Sequence, residues 1–327
     1  MKAVVTGGAG FIGSHMVDLL VEKGLKVVVI DNLANGRLDN IAHHKEKIEF
    51  IRADISDKSF DMSSLFTDVH YVFHFAALAD IVPSIKQPNK YHQANVEGTL
   101  RVLEASQHAK NLKKFIYAAS SSCYGIPDTY PTPESSKIQP EYPYALTKTV
   151  GEQYVMHWGQ VYDLPVLSTR FFNVFGPRHR TSGAYGAVFG VFLAQLLNKQ
   201  PLTVVGDGEQ TRDFTFVTDI VDACYTASQS KYKNEIFNLG SDGTYSINYL
   251  TKLLGGDVKY IPRRPGEPDC TFADITKVKQ KLDWSPKVSF EDGVKIMLEN
   301  IEQWRGAPVW NENSIKEATK EWFEYLS

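Results

Sequence analysis

The first half of the 327-residue chain alternates short, nearly continuous apolar runs with longer segments whose apolar residues recur every three or four positions. The runs are "AVVT" (3–6), "KVVVI" (26–30), "IEFIR" (48–52), "YVFHF" (71–75), "KFIYAAS" (114–120) and "PVLSTRFF" (165–172). Rich in β-branched residues and apolar at most positions, they predict strands buried on both faces, and so a parallel sheet. Between them, "FIGSHMVDLLVEKG" (11–24) and "NVEGTLRVLEASQHA" (95–109) carry the helical period. This alternation predicts an α/β fold with a doubly wound sheet and right-handed crossovers.

The rhythm loosens after residue 173. "NVFGPRHRTSGAYG" (173–186) reads as loop and "AVFGVFLAQLLNK" (187–199) as helix, whereas "FVTDIVDACYTASQS" and "NEIFNLG" (234–240) return to a helix–strand pattern. The expected organisation is a first domain of residues 1–173, rejoined by 213–245. A smaller α/β domain over the strand ends takes 174–212 and 246–327. In the tail "NENSIKEATKEWFEYLS", Ser314 and Glu317 have the spacing of a capping box. There Ile315, Ala318, Trp322 and Tyr325 can share one helix face, expected to dock on its own domain.

A formal charge of −3 leaves no basic footprint for nucleic acid or a membrane surface, so an anionic ligand must be met by local groups. Three cysteines, Cys123, Cys224 and Cys270, show neither disulfide nor metal spacing; no metal site is expected. The N-terminus does not read as a signal peptide, and no stretch approaches the roughly 20 apolar residues of a membrane helix. A cytoplasmic location is expected.

"TGGAGFIG" follows the first strand and opens the first helix, with Gly7, Gly10 and Gly13 spaced G-x-x-G-x-x-G. Such glycines allow a tight turn, close approach to a pyrophosphate and close helix–strand packing, and the helix N-terminus favours anions. Asp31 ends the second strand, where its carboxylate can accept from an adenosine ribose and repel a 2′-phosphate. That points to a Rossmann-type sheet binding NAD, with nearby Arg37 keeping NADP open. Asp54, after the third strand, reads equally as an adenine contact or as a turn residue.

Tyr144 and Lys148 stand at i and i+4 on a predicted helix, so both project from one face. An ammonium beside the phenol would favour phenolate. Ser120 ends a strand at the edge where open α/β sheets bind ligands, placed to relay a proton between a substrate oxygen and Tyr144.

Together these motifs resemble the extended short-chain dehydrogenase/reductases, and within them nucleotide-sugar 4-epimerases of the UDP-glucose and UDP-N-acetylglucosamine type. "TGGAGFIGSH", "HFAALADIVPSI", "SSSCYG", "YALTK", "RFFNVFGPR", "VVGDGEQTRDFTFVTDI" and "RRPGEPDCTFAD" carry the likeness along nearly the whole chain. The resemblance implies Ser120, Tyr144 and Lys148 as catalytic residues. It implies a cofactor site of Gly7, Gly10, Phe11, Ile12, Gly13, Asp31, Asn32, Asp54, Ile55, Phe75, Ala76, Ala77 and Asn95, with Tyr144 and Lys148. It implies substrate contacts from Ser84, Ser121, Ser122, Asn173, Arg178, Arg212, Arg264 and Thr271. A homodimer formed through the helix of Tyr144 is likewise implied by the family alone.

Related 4,6-dehydratases carry an acid two residues before the "YG" tyrosine; here that position is Ser122, so dehydration loses support. Thr271 aligns with a position where related epimerases exclude N-acetyl groups with a bulky residue. Its small size predicts activity on UDP-GlcNAc/UDP-GalNAc, with UDP-Glc/UDP-Gal also admissible. Arg178, His179 and Arg180 read as a solvated basic turn or as an anion site, which leaves UDP-glucuronate open. A nucleotide-sugar oxidoreductase and, through His179 and Cys123, a 3,5-epimerase/4-reductase remain alternatives. The chain departs from the family at Ala79, where several epimerases have lysine, and in its longer tail.

Overall fold

The computed structural model describes residues 1–179 and 186–326. Seven parallel strands form its central sheet: β1 (Lys2–Thr6), β2 (Lys26–Asp31), β3 (Ile48–Arg52), β4 (Tyr71–His74), β5 (Lys114–Ser120), β6 (Val166–Phe171) and β7 (Glu235–Leu239). Their spatial order is β7-β6-β5-β4-β1-β2-β3. The sheet is the doubly wound one that the apolar runs predict. Its two halves part between β1 and β4, which pair in register from Ala3↔Tyr71 to Thr6↔His74. A crevice opens at such a switch point, beyond the carboxyl ends of the strands.

Alternate residues along each strand serve opposite faces. Ala3, Val5, Val27, Val29, Phe73 and Phe237 pack with Met16, Val17 and Leu20 of α1 (Phe11–Glu22). On the other face Val4, Val28, Val72, Phe115 and Val166 meet Val102 and Leu103 of α2 (Gly98–Gln107) and Val155 of α3 (Pro143–Tyr162). Helix α2 is shorter than its apolar period suggests, because residues Gln93–Glu97 form a π-helical turn that leads into it. Burial on both faces is why these strands read as continuous apolar runs.

A second core gathers Phe175, Phe189, Phe192, Phe214, Phe216 and Phe290. Several of these rings stack or meet edge-on, Phe175 and Phe189 with centroids 4.7 Å apart. Around them lie α4 (Val188–Leu197), α5 (Ile247–Leu254), α6 (Phe290–Glu299) and a small parallel pair, Leu202–Val205 with Val258–Ile261.

The tail forms α7 (Glu312–Ala318) and α8 (Lys320–Tyr325). Its N-cap is Asn311, whose side chain accepts from the Ser314 amide at 3.0 Å while the Ser314 hydroxyl accepts from the Asn311 amide at 2.9 Å. Ser314 is thus the third residue of the box, not the cap expected from Ser314 and Glu317. Ile315 and Trp322 are buried in the second core, but Tyr325 is 66% exposed and leaves the expected face. Among the described residues, no helix is long and apolar enough to cross a membrane. All three cysteines are free thiols.

Candidate active site

The glycine turn lies at the switch point between β1 and β4. Gly7 has φ of 72°, and a Cβ there would stand 2.7 Å from the Ala76 nitrogen; a Cβ on Gly13 would stand 2.1 Å from the Gly7 carbonyl oxygen. Only glycine permits this closeness, because β1, α1 and the strand end at Ala76 meet without side chains between them. Gly10 begins α1 without a side-chain cap, and the first turn holds no acid. The turn therefore lines its cavity with backbone donors and no competing carboxylate, which suits an anion.

That cavity, about 630 Å³, runs from the glycine turn to the second core. Phe11, Ile12, Asp31, Asn32, Asp54, Ile55, Phe75, Ala76 and Ala77 line it with the three glycines. Asp31 accepts from the Ala9 amide at 3.0 Å and the Leu33 amide at 2.8 Å; burial raises its pKa. Arg37 donates to Asn40 at 3.3 Å and does not line the cavity. Asp54 accepts from Ser56 and Asn32, so it shapes the turn and also borders the cavity.

Asn95 is buried behind the cavity lining. It accepts from the Leu78 amide and donates to the Leu78 carbonyl and Thr147, which fixes the backbone of the cavity wall. Ser84 is also buried behind the lining, in the helix Ile81–Lys86, where it donates to the Ile81 carbonyl at 2.6 Å. Arg180 lies outside the described residues.

A directional chain of hydrogen bonds stands behind the wall. The Ala76 amide donates to Thr6 Oγ1, which meets His74 Nδ1 at 2.6 Å; His74 Nε2 meets Thr99 Oγ1 at 2.9 Å, which donates to the Asn95 carbonyl. Since Thr99 gives its proton to Asn95, His74 carries its own on Nε2. Complete burial holds the imidazole neutral, with its pKa lowered to about 3.

Ser120, Tyr144 and Lys148 come together in this cavity. Pro143 at the first position of α3 and extended Tyr142 before it start the helix, so Tyr144 projects from its first turn. Ser120 Oγ accepts from the Ser122 amide at 3.2 Å and lies 2.8 Å from Ser122 Oγ. Burial raises the Tyr144 pKa, a hydrogen bond from Ser120 opposes this, and Asp80 adds to it.

The expected lowering by Lys148 is thus corrected. Burial lowers Lys148 itself to about 7, with Glu152 opposing, and its Nζ lies 4.2 Å over the Tyr117 ring. A lysine so placed is only partly charged at neutral pH and leaves burial in control of the phenol. Cys123 is buried with its thiol pushed up to about 12, so it offers no acid or base near neutrality.

The cavity lining also includes Ser121, Ser122, Asn173, Arg178, His179, Arg212, Arg264 and Thr271. Thr271 Oγ1 donates to Asn173 Oδ1 at 2.6 Å and accepts from the Asp213 amide at 3.2 Å. Arg264 pairs with Glu267 at 2.9 Å, and Arg178 with Asp18 at 2.7 Å. The other Asp18 oxygen meets His43 and His44, the one convergent donor group of metal type among the described residues. Its carboxylate is already matched by the Arg178 guanidinium. Asp80, Glu141, Tyr142, Gln210, Glu267 and Trp322 also line the cavity, unforeseen from sequence. Glu141 and Tyr142 adjoin the Tyr144 motif, the one signal that could have found them.

Comparison with known proteins adds a family. The model described as GDP-mannose 4,6 dehydratase matches residues 4–297. UDP-glucose 4-epimerase of Mycolicibacterium smegmatis is 35% identical over 310 residues, covering 91% of this chain and 98% of that one. The structure of UDP-N-acetylglucosamine 4-epimerase from Methanobrevibacter ruminantium M1 in complex with UDP-N-acetylmuramic acid superposes with TM-score 0.87. It is 35% identical, with 92% and 98% of the two chains covered. UDP-glucuronic acid 4-epimerase from Bacillus cereus, in complex with UDP-glucuronic acid and NAD, gives TM-score 0.84 at 33% identity, covering 93% and 99%. The chain therefore belongs to the family described as GDP-mannose 4,6 dehydratase, among extended short-chain dehydrogenase/reductases that include nucleotide-sugar 4-epimerases.

Proposed function

We propose that the chain is an NAD-dependent C4 epimerase of a nucleotide-sugar, acting on UDP-GlcNAc/UDP-GalNAc and, with less steric demand, UDP-Glc/UDP-Gal. The observation that carries this reading is the convergence of Ser120, Tyr144 and Lys148 in one cavity with the glycine turn, Asn173, Arg212 and Arg264. A pyrophosphate fits the turn because its backbone donors stand where no Cβ can intrude. Asp31, with no arginine beside it in the cavity lining among the described residues, suits an unphosphorylated ribose.

Gly7, Gly10, Gly13 and Asp31 would hold NAD, which would supply the hydride acceptor and donor for C4 and a positive charge that favours the Tyr144 phenolate. The residues of the chain handle the proton. Tyr144, as the phenolate that the NAD charge would favour, takes the O4 proton through Ser120, and the resulting phenol returns it the same way after the 4-keto sugar has turned. Burial keeps this exchange away from bulk water. Arg212 and Arg264 hold the diphosphate, for which guanidinium forks suit paired oxygens. They anchor the nucleotide while the sugar rotates.

Neutral Ser122 supports epimerisation over dehydration, which needs an acid there. The high thiol pKa of Cys123 weakens the 3,5-epimerase/4-reductase reading. UDP-glucuronate is a weaker reading: Arg178 lines the cavity, yet Asp18 already pairs with it. The homodimer through α3 is part of the proposal, as that helix exposes Leu146, Val161 and Tyr162. So are a cytoplasmic location and the division into domains 1–173 with 213–245, and 174–212 with 246–327. Turnover of UDP-GlcNAc by protein purified with its own NAD tests the assignment; dependence on added cofactor would favour an oxidoreductase.

A further inference from the structure

Trp322, from the short C-terminal helix α8, is the only residue after Thr271 among those described that lines the cavity. It is buried, and its indole N–H donates to the Pro265 carbonyl at 2.7 Å. Its ring centroid lies 5.7 Å from that of Tyr142, which in turn stacks at 6.5 Å with Tyr144. Pro265 follows Arg264 within residues 262–268, a stretch with no helix or strand. That stretch has no ladder to hold it, so the Trp322 bond is one of its few fixed points. The indoles of Trp158 and Trp304 bury their N–H groups without a partner.

We propose that Trp322 is a positioning residue for the nucleotide-sugar, tying the loop of Arg264 to the Tyr142–Tyr144 end of α3. The inference rests on the epimerase reading and extends it. The diphosphate and the reacting carbon of one substrate must meet Arg264 and Tyr144 together. Trp322 sets the span between them by holding the loop through its N–H and the helix start through its ring. The C-terminal tail thereby becomes part of the substrate site.

Trp322→Phe keeps an aromatic ring against Tyr142 and removes the donor. The expected result is a KM for UDP-GlcNAc raised about five-fold, the effect of one buried hydrogen bond, with kcat within about two-fold of wild type. Bound NAD should be unchanged, and trypsin should cut faster after exposed Arg263. Tyr325→Ala, on the exposed side of the same helix, should change none of these. Unchanged KM and cleavage would overturn the proposal, as would a joint fall in kcat and bound NAD at constant KM, the pattern of general misfolding. If wild type turns over no nucleotide-sugar, the epimerase reading fails, and the cleavage rates alone decide whether Trp322 fixes the loop. If the variant does not fold, the wild-type Trp322 indole proton decides by NMR. A shift on adding UDP supports the link, and an unmoved signal overturns it.

Discussion

The hydroxyl of Thr271 donates to Asn173 Oδ1 at 2.6 Å, joining the two residues that the proposed complex would set against the sugar and the diphosphate. Thr271 therefore orients the Asn173 amide, leaving its NH₂ group for a ligand. Thr271→Val keeps the size and loses the hydrogen bond; its KM for nucleotide-sugars should rise about five-fold with little change in kcat. Thr271→Tyr should abolish turnover of the N-acetylated sugars while retaining that of UDP-Glc. Steady-state kinetics on both substrates separates the two effects; equal losses on both in Thr271→Tyr would count against the pocket model.

Beneath the catalytic helix, Arg170 forms a buried pair with Glu152 and donates to the Tyr124 hydroxyl at 2.8 Å, which itself donates to Asn238 at 2.7 Å. This network ties α3, the "SSSCYG" turn, β6 and β7 together. Arg170→Leu leaves the Glu152 carboxylate buried and uncompensated, and should cost about 3–5 kcal/mol. Denaturant titration measures it.

Stability should depend on pH through Lys148. Its folded pKa, about 7, lies below the ordinary lysine value, so between about 7 and 10.5 the unfolded chain binds the proton and the folded chain does not. Stability consequently rises with pH across that window and is flat, for this group, below it. Lys148→Met should be more stable than wild type at pH 7, and this advantage should shrink toward pH 10. Thermal melts of both proteins across the range test the sign.

Gly13→Ala would drive a methyl group into the Gly7 carbonyl, where the ideal Cβ lies at 2.1 Å. The turn must open or α1 must shift, at about 1–3 kcal/mol. The purified variant should carry much less NAD than wild type, read from its absorbance after acid release, and should melt earlier.

Local patterns were the legible part. The strands follow from apolar runs because both sheet faces are covered, and the glycine turn follows from spacing because its contacts are backbone on backbone. Orientation was less legible. Resemblance gave Ser84 and Asn95 as ligand contacts, but it carried no signal that Ser84 bonds back to the Ile81 carbonyl or that Asn95 bonds to Leu78 and Thr147. The i, i+4 spacing of Tyr144 and Lys148 put both on one helix but said nothing of burial, the largest cause of both pKa shifts. At the tail, the box was expected from Ser314 and Glu317, but Asn311 caps the helix and Ser314 is the box's third residue. The approach of Trp322 to Pro265 spans 57 residues and had no local signal.

The central claim is that Tyr144, served by Ser120, moves the O4 proton of a UDP-sugar in a site that holds its own NAD. Proton NMR of UDP-GlcNAc incubated with the purified protein, without added cofactor, tests it most directly through the anomeric signals. The account predicts that UDP-GalNAc signals grow to equilibrium and are abolished by Tyr144→Phe. Unchanged UDP-GlcNAc signals from protein shown to contain NAD, or undiminished turnover in Tyr144→Phe, would contradict it.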